Sequence, residues 1–179
     1  AVFALLTPVI AAMGLDALWA LAAYCLCVLG GLATVLFILY PAVLRLTTPM
    51  SVGTFFRGIA PAQALAFSSS SSAATLPVTI QCVRQRLGVP EDITGFVCSL
   101  GTTINMDGTA LMQATAAVFI AQLYGVDLSM TDQLVIALTA TLAAVGSPGI
   151  PSGGIVMLVI VLESVGIPVQ GIAIILSVD

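Results

Sequence analysis

Charged residues cut this chain into long apolar stretches, and the length of each stretch limits what it can be. Between Asp16 and Arg45 lie 28 residues without a charge, Ala17–Leu44. At about 1.5 Å per residue a helix of that length exceeds the roughly 30 Å hydrocarbon core, so it predicts one complete spanning helix. Its Gly30-Gly31 pair allows another helix to approach closely.

The next uncharged run, Gly58–Val83, is also long enough to cross, but Ser68–Ser72 place five consecutive hydroxyls at its middle. The flanks, Gly58–Phe67 and Ala73–Val83, are each about half the length a crossing needs. The segment therefore reads as entering, turning at the serines and leaving on the same side, with its irregular tip covered by protein or a water-filled cavity. The arginines favour this hairpin. It puts Arg45, Arg57, Arg84 and Arg86 on one side, which the positive-inside rule makes cytoplasmic.

From Ile93 to Val126 the only charge is Asp107, and 34 residues of unbroken helix, about 51 Å, exceed one crossing. Asn105-Met106-Asp107-Gly108-Thr109 marks where that helix unwinds. The run Gln133–Leu162 is cut by Gly146–Gly154, in which two Pro and four Gly fall within nine residues and exclude a helix interior. It reads as a second hairpin entering from the opposite face, with Asp16, Asp127, Asp132 and Glu163 outside. Oppositely directed hairpins with broken helices are the pattern of secondary transporters, whose sites form where the broken ends meet. The predicted fold class is an all-α membrane protein with inverted repeats, two re-entrant helical hairpins and discontinuous transmembrane helices.

Composition agrees. The 179 residues are 60% hydrophobic and 7% charged, with a mean hydropathy of +1.20, too little polar surface for a water-soluble domain of this size. Four scattered Arg, no Lys and a net charge of −4 offer no basic patch for phosphates and exclude nucleic acid. The absence of His removes the commonest general base and metal ligand, so an enzyme is not expected. Cys25, Cys27, Cys82 and Cys98 lack metal-site spacing and read as small core residues. The chain starts at Ala1 inside an apolar run and stops at Asp179 after another, which reads as an internal piece of a longer membrane protein.

Asp107 carries the most chemical information. A carboxylate in the bilayer interior costs several kcal/mol unless paired, and no Lys, His or nearby Arg is at hand. A bound cation, or an Arg elsewhere in a longer protein, would pair it. Asn105, Asp107 and the carbonyls released at the break are hard oxygen ligands suited to Na⁺. Half-helices starting at Ala73 and Gly154 point N–H groups and positive dipole ends at an anion, for which a carboxylate is the natural ligand.

Ser-Ser-Ala-Ala-Thr-Leu-Pro (71–77), Asn-Met-Asp-Gly-Thr (105–109) and Gly-Ser-Pro-Gly-Ile-Pro-Ser-Gly-Gly (146–154), in this order and spacing, resemble the glutamate transporter family: sodium-coupled carriers of acidic or neutral amino acids, related to the dicarboxylate carriers. The resemblance implies that 1–13 ends a scaffold transmembrane helix. Residues 14–179 then form a transport domain: a transmembrane helix at 17–44, hairpin one at 51–88, a broken helix at 92–126, hairpin two at 131–166 and the start of a last helix at 168–179. It further implies symport by an elevator motion against a homotrimeric scaffold, with hairpin two as the gate, in a plasma membrane, whether a bacterial inner membrane or a eukaryotic cell membrane.

Carried over by residue, Ser70, Ser71, Ser72 and Thr109, with Gly149, Ile150, Pro151 and Gly154 of hairpin two, hold the amino-acid substrate. Sodium ions take Gly101 and Asn105 at one site, Thr103 and Met106 with Ala144, Val145 and Ser147 at a second, and Asp107 at a third. Met112 stands where the family commonly has Tyr. Ser at position 70 matches the animal members, which place an arginine in the last helix, beyond Asp179, so the choice of acidic or neutral substrate stays open. A channel or pore built from re-entrant half-helices, a proton-coupled dicarboxylate carrier and a non-transporting scaffold piece are the competing readings; no Thr-Val-Gly-Tyr-Gly filter supports the channel.

Overall fold

A computed structural model describes residues 16–178, with side chains from Trp19; the helix end expected at 1–13 lies outside them. The described residues form α-helices and connecting turns: α1 (Asp16–Thr34), a π-helical turn (Val35–Leu39), α2 (Tyr40–Thr47), α3 (Val52–Ser69), α4 (Ser72–Gln85), α5 (Glu91–Ile104), α6 (Asp107–Leu123), α7 (Met130–Val145), α8 (Gly153–Ser164) and, after a 3₁₀ turn at Val169–Gly171, α9 (Ile172–Ile175). The polar interruptions of the sequence coincide with helix ends: Ser70-Ser71 part α3 from α4, Asn105-Met106 part α5 from α6, and Gly146–Ser152 part α7 from α8.

The stretch Trp19–Thr47 is helical throughout, 29 residues, and alone among the described helices is long and apolar enough to cross a membrane. It runs past the expected end at Leu44 and contains the π turn, which periodicity does not show. The turn precedes Pro41, whose ring cannot donate to the Phe37 carbonyl; widening the helix to i→i+5 bonding accommodates that missing bond.

The chain divides into two compact units. The first comprises the residues up to Leu32, Asp107–Gly146 and those from Gly154 onward. Its core is a helical stripe: α6 buries Gln113, Ala116, Ala117, Ile120 and Ala121, the 3- and 4-residue spacing of one face. Against it pack Ile136, Ala140 and Ala143 of α7 and Ile155, Leu158, Val161 and Leu162 of α8. The pair α7–α8 is antiparallel: Thr139 and Ser164 place their hydroxyls 3.3 Å apart, and at the other end a Cβ on Gly146 would lie 3.3 Å from the Met157 methyl. Small residues set the spacing, since a Cβ on Gly31 would fall 2.7 Å from Leu111.

Helix α7 opens with a reciprocal cap. The Asp132 N–H donates to the Ser129 hydroxyl at 3.2 Å. In return the Asp132 carboxylate accepts from the Ser129 hydroxyl at 2.6 Å and its N–H at 2.9 Å. The hydroxyl bond, then the backbone bond, hold the Asp132 carboxyl below its ordinary pKa.

The second unit comprises Ala33–Met106 and Ser147–Gly153. Here α3 and α4 form an antiparallel pair turning at Ser70, with Gly58 and Ala62 buried on α3 and Thr75 and Cys82 on α4. Of the four cysteines only Cys82 is buried; Cys27 is exposed, which corrects its reading as core, and all four are free thiols. Large apolar side chains stand open in both units, among them Trp19 at 79%, Phe67 at 92% and Leu46 at 86% exposure, a surface that lipid or protein must cover.

Candidate functional site

Within the second unit the serine turn and the Gly/Pro loop meet. Ser70 adopts the left-handed conformation, φ 48°, where α3 ends, a strained geometry for a residue with a Cβ. That reversal leaves Ser71 extended as the N-cap of α4, its hydroxyl oxygen accepting from the Ala74 N–H at 3.2 Å. The same hydroxyl donates to the Gly149 carbonyl at 2.8 Å, and the Ala73 N–H donates to that carbonyl at 3.0 Å. The Gly149 oxygen thus occupies donors at the start of α4, where the sequence places an anionic ligand. Ser69 steadies the turn by accepting from the Ser71 N–H at 3.3 Å.

The third motif joins them. A Cβ on Gly149 would lie 3.4 Å from the Ser72 Cβ and 3.6 Å from the Met106 methyl, so Ser72, Gly149 and Met106 are brought together. The loop also closes on itself. The Gly153 N–H donates to the Ile150 carbonyl at 3.1 Å, Ser152 takes φ 56°, and a Cβ on Gly153 would collide with the Pro148 carbonyl. Ser147 is buried, whereas Ile150 and Pro151 are exposed.

At the helix break, Asn105 leaves helical geometry (φ −94°, ψ 74°) while its N–H still bonds the Gly101 carbonyl at 3.0 Å. A Cβ on Gly101 would lie 3.3 Å from the Asn105 amide nitrogen, so the two predicted ligands adjoin. Each carbonyl has a second lone pair for a cation. The Thr103 hydroxyl bonds the Leu100 carbonyl of its own helix at 2.9 Å. Asn105 and Asp107 are exposed in the chain.

In the first unit the relevant residues stand on α6, at the end of α7 and at the start of α8. Ala144 and Val145 end α7, where C-terminal carbonyls carry negative partial charge and favour a cation. A Cβ on Gly154 would lie 2.8 Å from the Thr109 methyl and 3.2 Å from the Met112 methyl, so Gly154 and Thr109 are in contact. Gln113, which sequence reasoning did not single out, donates its amide N–H to the Gly154 carbonyl at 2.7 Å. It is fully buried, and its amide oxygen has no partner among the described residues. The visible signal was a polar residue on the apolar stripe of α6. An apolar groove of about 490 Å³ between α1 and α6, lined by Tyr24, Cys27, Thr115, Phe119 and Gln122, contains none of the predicted residues.

Among the described residues no three His, Cys, Asp or Glu side chains cluster as a metal site. The donors on either side of the break are carboxylate, carbonyl and hydroxyl oxygens, which suit a hard cation and not a transition metal.

Known proteins resemble the chain over most of its length. The chain is 45% identical over 159 residues to an excitatory amino acid transporter of Caenorhabditis elegans, covering 89% of this chain and 32% of that protein. It is 46% identical over 156 residues to both excitatory amino acid transporter 3 and neutral amino acid transporter B(0) of Mus musculus, covering 87% of this chain and 30% and 28% of those proteins. The chain spans about a third of the length of the curated relatives it matches. The sequence profile of the sodium:dicarboxylate symporter family matches residues 1–179, and with the serine turn, the Asn-Met-Asp-Gly-Thr break and the Gly/Pro loop in place the chain belongs to that family.

Proposed function

We propose that the protein containing this chain is a sodium-coupled amino-acid symporter and that the chain forms the part that holds the cargo. The observation that carries this reading is the convergence of Ser72, Gly149 and Met106, one residue from each polar interruption of the apolar pattern. In the second unit, Ser70, Ser71 and Ser72 with Gly149, Ile150 and Pro151 bind the substrate's carboxylate, the Ser71 hydroxyl and the Ala73 N–H passing to it from the Gly149 carbonyl. In the first unit, Thr109 and Gly154 contribute further substrate contacts. In the second unit sodium ions take the carbonyls of Gly101 and Asn105, and the Thr103 hydroxyl, Met106 and Ser147; in the first unit they take Ala144, Val145 and the Asp107 carboxylate.

The pairs α3–α4 and α7–α8 are re-entrant hairpins of an inverted repeat, each entering from one face of a plasma membrane. The loop 147–153 is the gate: its two bonds from the start of α4 hold it shut, and a substrate carboxylate competes for those donors. The whole carrier is a homotrimer working by an elevator motion, and its cargo is an acidic or neutral amino acid, as the names of its relatives indicate.

Replacing Asp107 by Asn in the full-length protein tests the ion assignment. Calorimetric titration of the amino acid at varied sodium is expected to need at least tenfold more sodium for half-maximal binding. Undiminished sodium dependence would remove Asp107 from the ion sites.

A further inference from the structure

The four arginines lie 12, 27 and 2 residues apart in sequence, but the second unit gathers them. Arg45 stands in the last turn of α2, Arg57 in the second turn of α3 and Arg84 in the last turn of α4, with Arg86 capping α4. The antiparallel α3–α4 pairing brings the start of one helix beside the end of the other. The contact is close: a Cβ on Gly58 would strike Leu87 and lie 3.8 Å from the Arg86 Cβ. Arg57, next to Gly58 in sequence, and Arg86 therefore stand at the same end of the α3–α4 pair. Arg84 is taken by Glu91 at 2.7 Å, whereas neither Arg57 nor Arg86 forms an ion pair among the described residues. Asp92 is the other carboxylate of this unit, leaving a surplus of two positive charges.

Like charges gathered at one end of a helix pair raise each other's energy, and an anion among them lowers it. The flank supplies the second half of a ligand. Arg45 ends an apolar helix whose Leu46 is 86% and Val43 48% exposed, so charge and bare hydrocarbon surface adjoin, as at the headgroup level of a leaflet.

We propose that this corner, Arg57 and Arg86 with Arg45 at its edge, binds the headgroup of an anionic phospholipid whose acyl chains lie along the exposed face of α2. The inference rests on the chain being embedded in a membrane and is independent of which amino acid is carried.

The test is thermal unfolding of the parent protein in a neutral detergent, titrated with phosphatidylglycerol, phosphatidylcholine or inorganic phosphate. Phosphatidylglycerol is expected to raise the midpoint by several degrees, and the other two by less than about one degree. The double variant Arg57→Gln, Arg86→Gln is expected to need about tenfold more phosphatidylglycerol for the same shift, at an unchanged lipid-free midpoint, and the double Lys variant to restore it. An equal shift with phosphatidylcholine or phosphate, or a double Gln variant that responds like the parent, would overturn the proposal. Where the Gln variant does not fold, raising ionic strength with choline chloride at fixed sodium decides: the parent's shift must vanish, and its persistence would overturn the site. Sodium-dependent amino-acid binding, read on the same samples, separates failure of this site from failure of the transporter reading.

Discussion

Gly153 is closed over by the backbone carbonyl of Pro148, so Gly153→Ala must open the loop. The expected cost is about 1–3 kcal/mol, read as a lowered unfolding midpoint of the parent protein. Gly95, inside α5 with nothing within 4 Å of its Cβ position, is the control: Gly95→Ala is expected to be neutral or to stabilise by up to about 1 kcal/mol. The Ser71 hydroxyl both caps α4 and holds Gly149. Ser71→Ala is therefore expected to speed amide exchange in 147–153 about fivefold to tenfold without substrate, from the roughly 1 kcal/mol a cap contributes. Unchanged exchange would show that the Ala73 N–H alone holds the loop.

Asp132 gives a pH prediction of definite sign. Its folded pKa lies below the unfolded one because Ser129 bonds the ionised form, so its contribution is present above the ordinary aspartate pKa of about 3.9 and is lost as pH falls through the lower folded value. The parent protein is expected to lose stability over that acid window more steeply than Asp132→Asn, and equal slopes would contradict the cap's role.

At the scale of elements, the helix breaks were legible because five consecutive hydroxyls, or two Pro with four Gly in nine residues, disfavour a continuous helix, whereas single prolines do not break one: Pro61 and Pro77 lie inside α3 and α4. The π turn at Val35–Leu39 was not legible, since Val-Leu-Phe-Ile-Leu has the same apolar pattern in either helix type. Nor was the grip of Gln113 on Gly154, which depends on α6 and α8 packing together over a separation of 41 residues. The break at 105–109 was legible from its polar, Gly-containing sequence, and it puts the carboxylate at the first position of α6. Asp107 stands exposed at that break.

At the scale of the whole molecule, the helical character of the described residues and the membership of the sodium:dicarboxylate symporter family follow from pattern and motif together. Substrate choice does not, since the chain is equally similar, at 46% identity, to an excitatory and to a neutral amino acid transporter. The charge pattern is also a whole-chain property: all four arginines fall in one unit and none in the other, a separation hidden in a chain whose net charge is only −4.

The most direct test of the central claim is calorimetric titration of the full-length parent protein with L-aspartate, L-alanine and L-serine, each with and without sodium. Binding of at least one of these amino acids that tightens by tenfold or more when sodium is supplied is the predicted result. Aspartate alone would mark an acidic amino-acid carrier, and alanine and serine alone a neutral one. Amino-acid binding that is indifferent to sodium would contradict the ion sites built from Gly101, Asn105 and Asp107 and the symport they imply.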